Sequence, residues 1–114
     1  MSMLEMTQRR ERGHTVVALE GEVDLDSVDR LRERLDGIVA IDGPCLIVDL
    51  TGVRFIDTTG LGMFVRFLDG VRRRGGSLAL VAPRGQPLRV FSRTNLARLF
   101  PIYDSVSDAV AGAG

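Results

Sequence analysis

The sequence predicts an α/β domain: a central mixed, mostly parallel sheet, opened by an N-terminal β-hairpin and flanked by about four helices. Three observations carry this. Two nearly continuous apolar runs, CLIVDL at 45–50 and SLALVA at 77–82, have the pattern of strands covered on both faces. Segments whose apolar residues recur at helical spacing alternate with those runs, the order expected of parallel strands joined by crossover helices. The first arms of the chain, by contrast, read as two extended stretches around Arg12, Gly13 and His14, which is a hairpin.

Taken in order, LEMTQRRERGHTVVALEGEV gives that hairpin, with β-branched residues in its second arm. DLDSVDRLRERLDGIVA then places Val28, Leu31, Leu35, Ile38 and Val39 at helical spacing, and Asp26 with Asp29 forms a D-x-x-D variant of the capping box. The apolar strand at 45–50 is bounded by Gly43-Pro44 and Thr51-Gly52 and belongs at the centre of the sheet. From Leu61 onward, Leu61, Phe64, Val65, Leu68 and Val71 share one face of a second helix, which Gly75-Gly76 ends. The strand at 77–82 follows. Pro87 suits a first helical position, and Leu88 and Phe91 point inward in a short third helix that runs until Asn95. A brief extended piece around Phe100 to Tyr103 leads to a last short helix, capped by Asp104 or Ser105, with Val106, Ala109 and Val110 inward. All 114 residues are assigned to one domain.

With 45% hydrophobic and 26% charged residues the composition is that of a globular protein. No apolar stretch approaches the roughly 18 residues needed to span a bilayer, and MSMLEMTQRRER lacks the apolar region of a secretory signal. The expected location is therefore the cytoplasm, away from membranes. A single cysteine, Cys45, and a single histidine, His14, provide neither an internal disulfide nor a zinc set. Cys45 reads as a small buried hydrophobe. Net charge is zero but unevenly spread: residues 1–57 hold 7 Arg against 12 acids (−5), residues 58–100 hold 8 Arg against 1 acid (+7), and Asp104 and Asp108 give the tail −2. Folding either mixes these charges or leaves a polarised surface that steers a charged partner. Nucleic acid is not an expected partner, because the chain is not basic overall and the RRR run at 72–74 has no interleaved aromatics.

The ingredients of catalysis are thin. His14 sits at a hairpin turn, there is no G-x-S-x-G elbow, no Walker A or G-x-G-x-x-G loop, and no lysine anywhere in the chain. Gly60-Leu61-Gly62 has two glycines and no phosphate-binding lysine, so no nucleotide or other cofactor is expected. Asp24, Asp26, Asp49 and Asp57 could hold a hard cation if they met at loop edges. Each also has a plainer role, Asp26 as a helix cap and Asp49 as an acceptor of nearby backbone N–H groups, and no metal site is expected.

The unusual window is FIDTTGLG at 55–62, where a strand end feeds straight into a helix. Thr58 and Thr59 fall where backbone N–H groups are unpaired, and threonine is an ordinary cap there. A cap accounts for one of them. It does not account for Gly62, which costs about 1 kcal/mol relative to alanine inside a helix. A helical projection centres the core face near Leu61, Phe64 and Leu68, with Gly62, Arg66 and Arg73 opposite and Met63 on the flank. An exposed methionine beside a bare glycine and an arginine reads as a docking patch, although scattered surface apolarity reads the same way. A phosphate at this helix start meets free N–H groups and the helix dipole, and adds about −1.5 to −2 charge to any interface formed there.

DLTGVRFIDTTGLGMFV resembles the signature of STAS domains, in particular the bacterial anti-sigma factor antagonists of stress and sporulation control. In that family a D-S-[ST]-G-L motif after a central strand carries a regulatory phosphorylation. LEGEVDLDSVDRLRERL is similar to the family's second strand and first helix, RRRGGSLALVAP to its next strand, and LARLFPIYDSVSDAV to its C-terminal end, so the similarity covers essentially the whole chain. The resemblance implies a binding module and not an enzyme. The unphosphorylated form binds an anti-sigma factor that is itself a serine/threonine kinase, the sigma factor is released, phosphorylation switches binding off, and a serine/threonine phosphatase resets it. By position in the motif the phosphoacceptor is Thr59, with Thr58 the second choice, and the family usually has serine where this chain has threonine. Asp24, at the end of GEVD, matches an acidic position near the partner-binding edge. The partner surface implied is Asp24, Asp57, Thr58, Thr59, Gly60, Leu61, Gly62, Met63 and Arg66, on a monomer or weak dimer. The alternative is a STAS scaffold or adaptor subunit of a stress-signalling complex or transporter, without a phosphorylation switch.

Overall fold

The computed structural model describes residues 3–113, leaving aside the side chains of Ala97 and Ala113. Five strands lie in the order β1-β2-β3-β4-β5, the order in which they occur along the chain. β1 (Leu4–Glu11) and β2 (His14–Val23) form the antiparallel hairpin, with Glu11 opposite His14 across a tight turn. Arg12 and Gly13 make that turn, both at positive φ. His14 is thus the first residue of β2 and not a turn residue; it is buried, and its Nδ1 has no hydrogen-bond partner among the described residues.

β2, β3 (Cys45–Ile56), β4 (Ser77–Val81) and β5 (Ile102–Tyr103) are parallel to one another. The expected end of β3 at Thr51-Gly52 is not an end, because the strand continues to Ile56. Between Ala18↔Asp49 and Glu20↔Gly52, and again between Gly21↔Val53 and Glu22↔Phe55, β3 carries one residue more than β2. Thr51-Gly52 therefore belongs to a bulged strand, and the first bulge is braced by Asp49, whose Oδ1 accepts from the Thr51 N–H and hydroxyl.

Helices α1 (Val28–Asp42) and α2 (Thr58–Arg73) cover one face of the sheet. Their apolar stripes bury Leu31 and Leu35 from α1 and Phe64, Phe67, Leu68 and Val71 from α2 against Val17, Val48 and Leu80 of the strands. The Arg30 guanidinium ties α1 to the edge strand by donating to the Leu4 carbonyl at 2.6 Å. α3 (Gly85–Arg93) adds Phe91 to this core, edge-on to Phe100 with ring centroids 5.5 Å apart. A 3-10 turn at Leu96–Arg98, without a counterpart in the sequence reading, leads into β5. α4 (Val106–Ala113) packs Ala109 and Val110 on the other face, over Val16, Ile47, Ala79 and Val81. Ser105 caps it, its hydroxyl accepting from the Asp108 N–H at 3.1 Å. Burial on both faces is what makes the runs at 45–50 and 77–81 continuously apolar.

Candidate functional site

The C-terminal ends of β2 and β3 lie side by side and each feeds directly into a helix. β4 pairs with β3 only as far as Asp49, so the last residues of β3 have no strand on that side. Gln86 of α3 fills the place of one. Its Oε1 accepts from the Ile56 N–H and its Nε2 donates to the Ile56 carbonyl, both at 2.8 Å, as a strand residue would. The end of β3 is thereby fixed in position before the chain turns. No periodic signal in the sequence marks Gln86.

Asp57 follows in extended conformation (φ −99°, ψ −178°), with its N–H donating to the Val23 carbonyl at 3.1 Å. That backbone directs its carboxylate over the first turn of α2, where Oδ1 accepts from the Gly60 N–H at 3.0 Å. Asp57, and neither threonine, is the helix cap, a role worth about 1 kcal/mol. Thr58 and Thr59 are the first two helical residues. Thr58 is exposed and Thr59 half-buried, and neither hydroxyl has a hydrogen-bond partner among the described residues.

Of the residues expected to form a partner surface, three face inward. Gly60 is buried because the turn lies against the strand ends: a Cβ there would come within 2.8 Å of Val23 Cγ1 and 2.9 Å of Ile56 Cγ1. Leu61 and Met63 are buried as well, Met63 only 1% exposed. The docking patch read around an exposed Met63 is therefore corrected. The helical projection allowed for a single core face, whereas α2 packs on both the sheet and α1, and Met63 lies on the α1 side beside Val39 and Phe67. Gly62 is half-buried and Arg66 exposed; the Arg66 Nη1 lies 3.3 Å from where a Gly62 Cβ would be. Arg73, further along, pairs with Asp69 at 2.8 Å on the solvent side.

The β2–α1 loop completes the site. Asp24 is half-buried, and its Oδ1 accepts from the Asp26 N–H at 3.1 Å. The Leu25 N–H donates to Asp57 Oδ2 at 3.3 Å, so one carboxylate joins this loop to the start of α2. The expected Asp26–Asp29 capping box does not form. Ser27 precedes the first residue of α1 with a near-helical backbone (φ −110°, ψ −16°), and its side chain makes no capping bond. Its hydroxyl is committed to the loop instead, donating to the Glu22 carbonyl at 2.8 Å and accepting from the Asp24 N–H at 3.1 Å.

Chemically, the site offers two unengaged hydroxyls at a capped helix start, flanked by carboxylates. Asp24, Asp26 and Asp57 belong to it, but Asp49 is spent on the bulge of β3, and among the described residues no group of three or more His, Cys, Asp or Glu is placed to hold a metal ion. Nor does any helix among them have the length and apolarity to cross a membrane.

Comparison with known proteins bears on the family and the fold. A profile of the STAS domain matches residues 5–109. The anti-sigma-B factor antagonist of Listeria monocytogenes is 30% identical over 95 residues, 83% of each chain. That of Bacillus subtilis is 37% identical over 86 residues, 75% of this chain and 78% of the relative. Among solved structures, an anti-sigma factor antagonist from Mycobacterium paratuberculosis superposes with a TM-score of 0.89 at 25% identity, covering 97% of this chain and 94% of the other.

Proposed function

The chain belongs to the STAS family, and we propose that it works as an anti-sigma factor antagonist, a cytoplasmic binding regulator and not an enzyme. In its unphosphorylated form it engages an anti-sigma factor with serine/threonine kinase activity through the ends of β2 and β3, and the sigma factor is set free. The kinase then transfers the γ-phosphoryl group of ATP to Thr59: the Oγ1–P bond forms, the bond to the ADP oxygen breaks, and the hydroxyl proton passes to a base on the kinase. The new dianion turns the complex apart, and a phosphatase hydrolyses it to reset the switch.

One observation carries the reading. Asp57 takes over the capping of α2, which leaves both threonine hydroxyls unbonded at the surface edge of a helix start. Modification at this turn then breaks no internal hydrogen bond, and the helix dipole favours the added charge. An interface laid over this end is not indifferent, because it must accommodate a bulky dianion next to Asp57.

Phosphorylation by the kinase-type anti-sigma factor of the same genome, followed by mass spectrometry, tests this. Phosphate is expected on wild type and on Thr58→Ala, and none on Thr59→Ala; label retained by Thr59→Ala moves the assignment to Thr58, and an unlabelled wild type removes the switch. In titrations, Thr59→Glu is expected to weaken binding tenfold or more, on the order of a charge buried at an interface, with an unchanged circular dichroism spectrum.

A further inference from the structure

Several large apolar side chains are exposed on this chain, such as Ile41 in the last turn of α1 and Leu99 after the 3-10 turn. Leu25 differs in how it is held. Leu25 is 72% exposed, yet the loop that carries it is tied down: its own N–H to Asp57 Oδ2 at 3.3 Å, the Asp26 N–H to Asp24 Oδ1 at 3.1 Å, and the Ser27 and Val28 N–H groups to the Asp24 carbonyl at 3.1 and 2.9 Å. A side chain presented on an ordered loop loses little further backbone entropy on binding, which is what an interface anchor requires. Beside it the Asp26 carboxylate is exposed and makes no hydrogen bond or ion pair among the described residues.

We propose that Leu25 is the apolar anchor of the partner-binding surface, entering an apolar pocket of the anti-sigma factor whose rim supplies an arginine or lysine to Asp26. Asp57 is its positioning residue. The same carboxylate caps α2 through Oδ1 and holds Leu25 through Oδ2, so the anchor and the Thr58–Thr59 turn form one continuous surface. This deepens the function proposed above and rests on it.

Asp57→Asn separates the two arms of the clamp, because an asparagine oxygen still caps the helix while its NH2 group does not accept from Leu25. Amide hydrogen exchange, which needs no partner, should show the Leu25 N–H exchanging about tenfold faster in this variant with the Gly60 N–H unchanged. Unchanged exchange at Leu25 overturns the clamp. For the anchor, each kinase-type anti-sigma factor of the source genome is titrated with wild type, and the one that binds serves as the probe. Leu25→Ser should weaken that binding by about ten- to a hundredfold with an unaltered melting temperature, and Leu25→Met should restore most of it. Asp26→Asn should slow association and flatten its salt dependence. If wild type binds and Leu25→Ser binds equally well, the anchor is wrong and the antagonist function stands; if wild type binds none of them, both fall.

Discussion

Helix α2 begins with a carboxylate that accepts an N–H of its own first turn, whereas α1, which starts beside it on the same edge of the sheet, has no side-chain cap at all. The serine in the capping position of α1 is 2% exposed and spends its hydroxyl on Glu22 and Asp24. Asp57 does both jobs, one oxygen for its helix and one for the neighbouring loop. Ser27, which stands where a helix is ordinarily capped, is here diverted to the β2–α1 loop, and Asp57 ties that loop to the start of α2. The loop is thus ordered at the expense of a side-chain cap on α1, as the anchor proposed for it requires.

The contrast is easiest to break at the joint between the two regions. Gly60→Val places a branched side chain where even a Cβ would come within 2.8 Å of Val23 and 2.9 Å of Ile56, the last residues of the two strands. Both side chains are buried and the Val23 carbonyl follows at 3.1 Å, so the turn must lift from the sheet at a cost of about 3 kcal/mol. Urea denaturation should show that loss. A variant as stable as wild type would mean that the first turn of α2 does not sit tightly on the strand ends.

Removing either of the two polar side chains has a smaller effect. Asp57→Ala and Ser27→Ala should each cost about 1–2 kcal/mol, the first as a lost cap and the second as two buried hydrogen bonds. The pattern of amide exchange distinguishes them. Asp57→Ala should expose the Gly60 N–H, while Ser27→Ala should expose the Asp24 N–H and leave the first turn of α1 as protected as before. If Ser27→Ala frays α1 in the way Asp57→Ala frays α2, Ser27 is a cap after all and the asymmetry disappears.

The same distinction explains what could be read from the sequence. Elements with regular burial are legible: the runs at 45–50 and 77–82 are continuously apolar because both their faces are covered, and the core stripe of α2 follows from helical spacing. The bulges of β3 are not, since Thr51-Gly52 carries the composition of a turn and only the pairing with β2 reveals a continuing strand. A helical projection leaves Met63 on the flank because its burial depends on α1, an element distant in sequence. At the site, residue types pointed to a helix start, but which of three adjacent polar side chains caps it was decided by the extended backbone of Asp57. Gln86 and Leu25 act through contacts across 30 and 32 residues, for which a single sequence holds no local signal.

The smallest effect expected is a gain. Gly62 lies inside α2, where alanine is better by about 0.5–1 kcal/mol, and its surroundings leave room: apart from its chain neighbours and the helix backbone, a new Cβ meets among the described residues the Arg66 Nη1, at 3.3 Å, the far end of a flexible side chain. Gly62→Ala should therefore raise the melting temperature by a few degrees. Its neighbour Gly60 has no such freedom, so the two glycines of one motif respond in opposite directions. Gly60 is required by the chain's own packing, and Gly62 is tolerated at a loss of stability that the fold itself does not demand. Close approach of a partner backbone to this stretch of helix is a reason for that loss, and on this account the stabilised variant should bind the anti-sigma factor several-fold more weakly. Calorimetry for stability and titration for binding check the two halves together. If Gly62→Ala is both more stable and equally tight, the partner does not approach the helix at Gly62, and the binding surface is confined to its first turn and the Leu25 loop.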